Sequence, residues 1–150
     1  MIQTLSNFLR EDRGTVVIET AFIVPILAVL ALGGFEASMI VSRHMELQAA
    51  AAEGSAIMLA RVPDEQSERD TLEAVIEKST GLGSDKVTLK VLYRCDTATT
   101  TVDSASSCAS DAVISEYVEL NIKDTYDPVW TGFGFGKKIE YNITRRIQIA

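Results

Sequence analysis

The chain changes its hydrophobic pattern twice. From Thr15 to Phe35 it reads TVVIETAFIVPILAVLALGGF, 21 residues that are apolar on every side and carry one charge, Glu19. At a rise of about 1.5 Å per residue a helix of that length is about 31 Å long, the thickness of the hydrocarbon core of a bilayer. Beyond Phe35 the pattern becomes striped. Ile40, His44, Leu47, Ala51 and Met58 recur at helical spacing, while Arg43, Glu46 and Glu53 fall on another face. No breaker occurs before Val62-Pro63, so one helix is predicted from Thr15 to Arg61, membrane-spanning first and amphipathic afterwards. Within it, Ala49 to Ala52 offer a surface of small side chains on which a sheet or helix can pack closely.

Pro63-Asp64 restarts the chain, and Asp64 or Ser67 is placed to cap a second helix, DEQSERDTLEAVIEKSTG, with Leu72, Val75 and Ile76 as its apolar stripe and Gly81 and Gly83 as its stop. The period then falls to two. Lys86 to Cys95 alternates Val87, Leu89, Val91 and Tyr93; Ala112 to Lys123 is rich in Val, Ile and Tyr. Ile139 to Ile149 alternates Ile139, Tyr141 and Ile143 against charge, then slips register at Arg145-Arg146. The predicted fold class is α+β: a long N-terminal transmembrane-then-amphipathic helix, a short second helix, and a small antiparallel sheet that buries its apolar face on the amphipathic half of the long helix. The expected organisation is a leader at 1–14, a transmembrane segment at 15–35, and an extracytoplasmic α+β domain at 36–150.

Length supports this and excludes more: 150 residues have room for one modest domain beside the span. The net charge is −7, and residues 36–150 hold 12 basic and 18 acidic groups. An acidic domain without a basic stripe repels phosphate backbones, so nucleic acid is not an expected partner. Arg10 and Arg13 precede the apolar run directly, and charge of that sign near a span places its end in the cytoplasm, with the rest of the chain outside. A Sec signal fits poorly. Ala31-Leu32-Gly33 is a passable cleavage site, but the apolar run is long, contains Glu19 and Pro25, and continues into further helix. Cys95 and Cys108 enclose twelve residues, DTATTTVDSASS, with little that can pack. In a reducing cytosol such a pair is two unrelated thiols; beyond a membrane it favours a disulfide.

Candidate chemistry is sparse. Gly132 to Lys138 (GFGFGKK) resembles a phosphate loop, but Thr131 and Lys138 stand where that motif needs Gly and Ser or Thr. The stretch is a loop whose Trp130, Phe133 and Phe135 either tuck under the sheet or form an exposed surface for a partner or the membrane. His44, the one histidine, sits on a helical stripe and has no nucleophile or acid nominated beside it. Glu73, Glu77, Glu116 and Glu119 read as solvated faces, and Asn142-Ile143-Thr144 matches a glycosylation sequon to which no function is assigned. Two cysteines and one histidine make no metal-ligand set. The chain is therefore expected to be no enzyme, with no catalytic residues, cofactor or metal.

Glu19 is the exception to this plainness. A carboxylate inside an apolar helix costs about 2.5–3.5 kcal/mol at the bilayer centre and less near the interface. It either snorkels to the headgroups or meets a cation. A free amine created by cleavage after Gly14 would lie four residues away, on the same helix or on a neighbouring subunit.

With Gly14 and Glu19 placed together, the first 61 residues resemble a TadE-like minor pilin of the bacterial tight-adherence (Tad, type IVc) pilus. The pattern is a basic residue and glycine, a Glu five positions on, a Pro midway through the apolar run, a second Glu at its end, and an Ala-rich continuation. Here these are Arg13-Gly14, Glu19, Pro25, Glu36 and LQAAAAEGSAIMLAR. The resemblance implies cleavage between Gly14 and Thr15 by a prepilin peptidase, Glu19 as an assembly contact and Pro25 as a helix kink. It further implies a mature helix held in the inner membrane, with its C-terminal domain in the periplasm, until the assembly platform and other pilins draw it into a pilus or a pilus-initiating complex that supports adhesion. Thr15 stands where many type IV pilins carry Phe, and Thr20 where the major tight-adherence pilins carry Tyr; with the length, this favours a minor subunit. The competing readings are an unprocessed single-pass envelope protein and a secreted domain released by Sec cleavage.

Overall fold

The computed structural model describes residues 12–149, with backbone alone for 12–15 and for Phe133. Residues 1–11 of the predicted leader, Arg10 among them, lie outside the described residues. Helix α1 (Asp12–Ala60) has 49 residues. It starts before the expected Thr15 and passes through Gly14, because one glycine costs a helix only about 1 kcal/mol. It stops ahead of Val62-Pro63, where the residue before a proline is pushed out of the helical region. Internal contacts divide the chain into two compact units, Met1–Met39 and Ile40–Ala150.

The second unit is the predicted α+β body. It holds the later part of α1, helix α2 (Gln66–Thr80), and strands β1 (Val87–Cys95), β2 (Ile114–Tyr126) and β3 (Ile139–Gln148). The three strands form one antiparallel sheet in the order β1-β2-β3. Alternation puts Val87 opposite Ile122, Leu89 opposite Leu120 and Ile122 opposite Ile143 on one face. That face closes a core with Leu47, Ala51 and Met58 of α1 and Leu72 and Ile76 of α2. Gly54 lets the layers meet: a Cβ there would stand 2.9 Å from both Ile76 Cδ1 and Leu120 Cδ2.

Four local readings are corrected. Helix α2 takes Glu65 as its N-cap, without a side-chain capping bond, rather than Asp64 or Ser67. Val75 is 51% exposed, and Thr80 is buried in the last turn instead, its hydroxyl donating to the Ile76 carbonyl at 2.7 Å. Gly81 ends the helix in the left-handed region at φ 69°, as its stop reading requires. The register of β3 does not slip, since Leu120 faces Arg145 and Glu119 faces Arg146 in unbroken order. Arg145 simply occupies an inward position, from which its guanidinium reaches Gln48 Oε1 at 3.4 Å, and Arg146 bonds Glu119 Oε2 across the outer face at 2.6 and 3.1 Å.

The fourth correction concerns the stripe of α1. His44 is exposed, with its ring 5.9 Å from that of Tyr141, whereas Arg43 turns toward the sheet. Its Nε donates to Asp124 Oδ2 at 2.6 Å and its Nη1 to the Thr80 carbonyl at 3.1 Å. Arg43 follows Ile40 by three and precedes Leu47 by four, so helical spacing places it on the buried stripe as well as it places His44.

Candidate assembly surface

In the first unit the described surface is the helix itself. Val16 through Leu32 are exposed side by side, Phe22 at 70%, and none of the most apolar stretch of α1 is buried. A helix apolar on all sides is unstable in water and is at home in lipid or among other apolar helices. By length and composition α1 can cross a membrane.

The polar groups within this segment are few. Glu19 is exposed, one helical turn beyond Thr15 and on its side of the helix. The Thr20 hydroxyl donates to the Val16 carbonyl at 2.7 Å, which satisfies it without a partner from outside. Pro25 lies inside the unbroken helix; having no N–H, it leaves the Ala21 carbonyl without the usual donor four residues on. Beside these, Val16, Val17, Thr20, Ala21, Val24 and Pro25 line a shallow, almost wholly apolar groove. Glu36, at the end of the run, is buried to 3% exposure.

Cys95 and Cys108 are bridged, with Cα atoms 5.5 Å apart. The loop so closed is more than slack chain. Tyr93 and Val102 exchange backbone bonds at 2.8 and 2.7 Å, and Asp96 receives the Val113 amide on Oδ1 at 2.8 Å while giving its own amide to the Val113 carbonyl at 2.7 Å. Further along β1 the amide of Leu89 is taken by Glu73 Oε1 of α2 at 2.5 Å. Glu73 is thus no merely solvated carboxylate. Two devices cover the outer edge of β1, where an open row of amides would invite another strand.

Trp130 and Phe135 are not gathered under the sheet, and the side chain of Phe133 lies outside the described ones. Val129–Phe133 is a short 3-10 turn, followed by Gly134 at φ 80° and Gly136 at φ 76°. Trp130 is half-buried and packs over Gly136, where a Cβ would come within 3.0 Å of its ring; Phe135, between the two glycines, is 71% exposed. Thr131 donates its hydroxyl to Asp127, and Lys138 pairs with Asp127 at 2.9 Å; these two contacts hold the Asp127 carboxyl below its ordinary range. Burial, then the nearby Asp124 charge, raises the Tyr141 phenol.

Residues that pattern reading missed, namely Arg43, Gly54 and Glu73, all act between elements. Spacing could have found the first two, since Ile40, Arg43, Leu47, Ala51, Gly54 and Met58 form one unbroken stripe. Nothing in the sequence marks Glu73.

No curated protein and no solved structure matches the chain. The family model described as TadE-like protein matches residues 14–56. The match begins at the glycine before the apolar run and ends inside the helix that supports the sheet. Over this segment the chain is similar to TadE-like proteins.

Proposed function

We propose that this chain is a minor pilin of a tight-adherence pilus, cleaved between Gly14 and Thr15 by a prepilin peptidase and acting in assembly or initiation of the fibre and so in surface adhesion. The observation that carries the reading is the placement of Glu19: it is exposed on an otherwise apolar helix, five residues after the glycine at which the family match begins. A peptidase that removes the leader leaves an amine at Thr15, one turn from that carboxylate, which gives neighbouring subunits a polar registration point within an apolar bundle. Arg10 and Arg13 orient the span with its N-terminus in the cytoplasm, so that the disulfide-bearing body faces the periplasm before assembly. The protein works by packing against other pilins and the assembly platform, and no step of catalysis is assigned to it.

Intact mass of the membrane-bound protein tests the proposal. Cleavage after Gly14, no cleavage, and cleavage near Gly33 give three distinct masses, and only the first agrees with a pilin. A protein that keeps its leader in cells with an active prepilin peptidase is an envelope anchor instead.

A further inference from the structure

We infer that the outer face of the sheet binds a sparsely charged acidic polysaccharide, one with a carboxylate on every second sugar, between Lys90 of β1 and Lys123 of β2. The inference concerns the second unit by itself. It goes beyond the pilin proposal and does not depend on whether the chain is cleaved after Gly14.

The core takes one face of the sheet, and strand alternation sends the remaining side chains to the other. There the strands carry Lys90, Arg94, Lys123 and Arg146 against Glu119 and Glu140, a positive face on a chain of net charge −7. Several cations of the body are already paired, as Arg43 is with Asp124, Arg61 with Glu68 and Lys138 with Asp127. Lys90 and Lys123 are exposed and pair with no carboxylate among the described residues. They flank a shallow polar depression of about 290 Å³ that Thr88, Glu119, Asn121 and Asn142 also line. Its one carboxylate, Glu119, is held by Arg146 at 2.6 Å, which removes the local repulsion against an anion. Asn121 Nδ2 donates to Asn142 Oδ1 at 2.7 Å and to Thr144 Oγ1 at 2.9 Å, which orients both amides. The Asn121 carbonyl oxygen, the Asn142 amino group and the hydroxyls of Thr88 and Thr144 are then left to pair with sugar hydroxyls.

Spacing and chemistry select the occupant. Lys90 stands opposite Glu119, four residues before Lys123 along β2, so the two lysines arise about 14 Å apart along the sheet. An extended ligand lies naturally along that span. Duplex DNA carries a charge about every 1.7 Å of its axis, far denser than two cations neutralise, and the acidic remainder of the body repels the excess. A protein partner finds no apolar side chain in the depression to bury. A neutral sugar chain would rely on an open aromatic ring, but Tyr117, the aromatic that the strands place on this face, already has the Arg94 guanidinium 5.3 Å from its centroid. A chain of hydroxyl-rich rings with widely spaced carboxylates meets all of these conditions.

The probe is an end-labelled octasaccharide of alternating glucuronate and N-acetylglucosamine, titrated at low salt with the full-length chain in nonionic detergent and followed by fluorescence anisotropy. Wild type should bind it. Lys90→Ala with Lys123→Ala should weaken binding about tenfold, as the loss of two exposed charge contacts of a few-fold each. Lys78→Ala with Lys137→Ala, which removes two exposed cations of α2 and of the connection between β2 and β3, should leave the affinity within about twofold. An octasaccharide with its carboxylates reduced to alcohols should bind wild type no better than the acidic one binds the Lys90 and Lys123 double variant. Wild type that ignores the acidic octasaccharide overturns the inference, and so does an equal loss in the two double variants, which makes the binding a general effect of charge. Undiminished binding of the reduced octasaccharide overturns it as well. Tighter binding of a DNA duplex of equal length makes a phosphate polymer the occupant, and binding that appears only with added partner pilins moves the site to them; either result overturns the assignment.

Discussion

Arg43 of α1 and Asp124 of β2 form a 2.6 Å ion pair with less than a quarter of either side chain exposed, and the same guanidinium holds the last carbonyl of α2. Three elements that share no local sequence are thereby tied at one point. Burial alone would lower the Arg43 pKa, but the bonds to Asp124 and Glu46 more than offset it and the group is held even further into its charged form. Apolar packing sets how closely α1 and the sheet approach; this pair sets where along its length the helix sits.

Removing one partner should therefore cost more than a surface pair does. Asp124→Asn leaves a partly buried guanidinium without its counter-charge and is expected to lower the stability of the body by about 2 kcal/mol. Denaturant unfolding in detergent measures this. A loss no larger than that of an exposed pair, such as Arg61 with Glu68, would show that the contact forms only after the elements are already placed.

Gly54 makes a sharper case, because two effects oppose each other. Replacing a mid-helix glycine by alanine gains about 1 kcal/mol of helix propensity. The new Cβ meets Ile76 and Leu120 at 2.9 Å, both in the closed core, and overpacking there costs about 1–3 kcal/mol. Gly54→Ala should be near neutral, since the two contacts are the ends of flexible side chains. Gly54→Val, with two further methyl groups and a β-branched helix penalty, should destabilise by about 2–3 kcal/mol. A stabilised valine variant would mean that the helix and sheet are free to separate.

The bridge between Cys95 and Cys108 closes a loop across 13 positions, for which chain-entropy reasoning gives about 3 kcal/mol. Its local consequence is more specific. The double replacement Cys95→Ser with Cys108→Ser should release the Tyr93–Val102 pairing and uncover part of the β1 edge, seen as faster amide exchange at those two residues than at Leu89, which keeps its bond to Glu73. Equal protection at all three would separate the edge cover from the disulfide. In the exported protein neither sulfur should be alkylated without reductant.

How far the sequence carried the fold depended on whether a signal was local. The uniform apolar run, the amphipathic stripe and the period-two strands each depend on one element's own residues, and all appear within a few residues of where pattern reading placed them. The reading failed where two elements compete for one residue. Val75 fits the stripe of α2, but the sheet covers Leu72 and Ile76 and leaves it in solvent. His44 and Arg43 fit the stripe of α1 equally, and only the presence of Asp124 on β2 decides between them. The aromatic loop was legible as a loop, while the outward aim of Phe135 follows from two left-handed glycines that composition does not reveal. In the apolar segment Glu19 and Pro25 stand out from the sequence alone, because in an apolar helix any carboxylate or proline is conspicuous, and the structure places both on its exposed surface, while their roles belong to the proposal.

Asp127 gives the loop a defined acid response. Its folded pKa is depressed, first by the Thr131 hydroxyl and then by Lys138. A depressed carboxylate contributes order that is fully present above its unfolded pKa and lost as pH falls through the lower folded value. Trp130 emission should therefore hold steady as the pH falls through the ordinary aspartate range, near 4, and change only below it. Thr131→Val removes the largest cause and should move that change to higher pH. Coincident profiles for wild type and variant would show that the loop does not depend on this carboxylate.

Glu19 supplies the test that separates an assembly helix from a simple anchor. The cost of an unpaired carboxylate in lipid means that Glu19→Ala leaves a helix inserting at least as well as before. The body folds around a core far along the chain, from Leu47 to Ile143, so its disulfide should form normally in the variant. If Glu19 meets the Thr15 amine of its own or a neighbouring subunit, removing it deletes the one polar fixture in an apolar interface, where close packing alone sets register poorly. Processing and membrane abundance should then be unchanged while co-purification with partner pilins falls. Glu19→Gln should fall nearly as far, because an amide keeps the shape and hydrogen bonding but not the charge that an ammonium requires. A carboxylate that merely snorkels to the headgroups gives the opposite pattern, with assembly intact in both variants. Co-purification at wild-type level, at equal membrane abundance, would therefore remove Glu19 from the interface and leave the apolar groove beside Pro25 as the surface that other helices read.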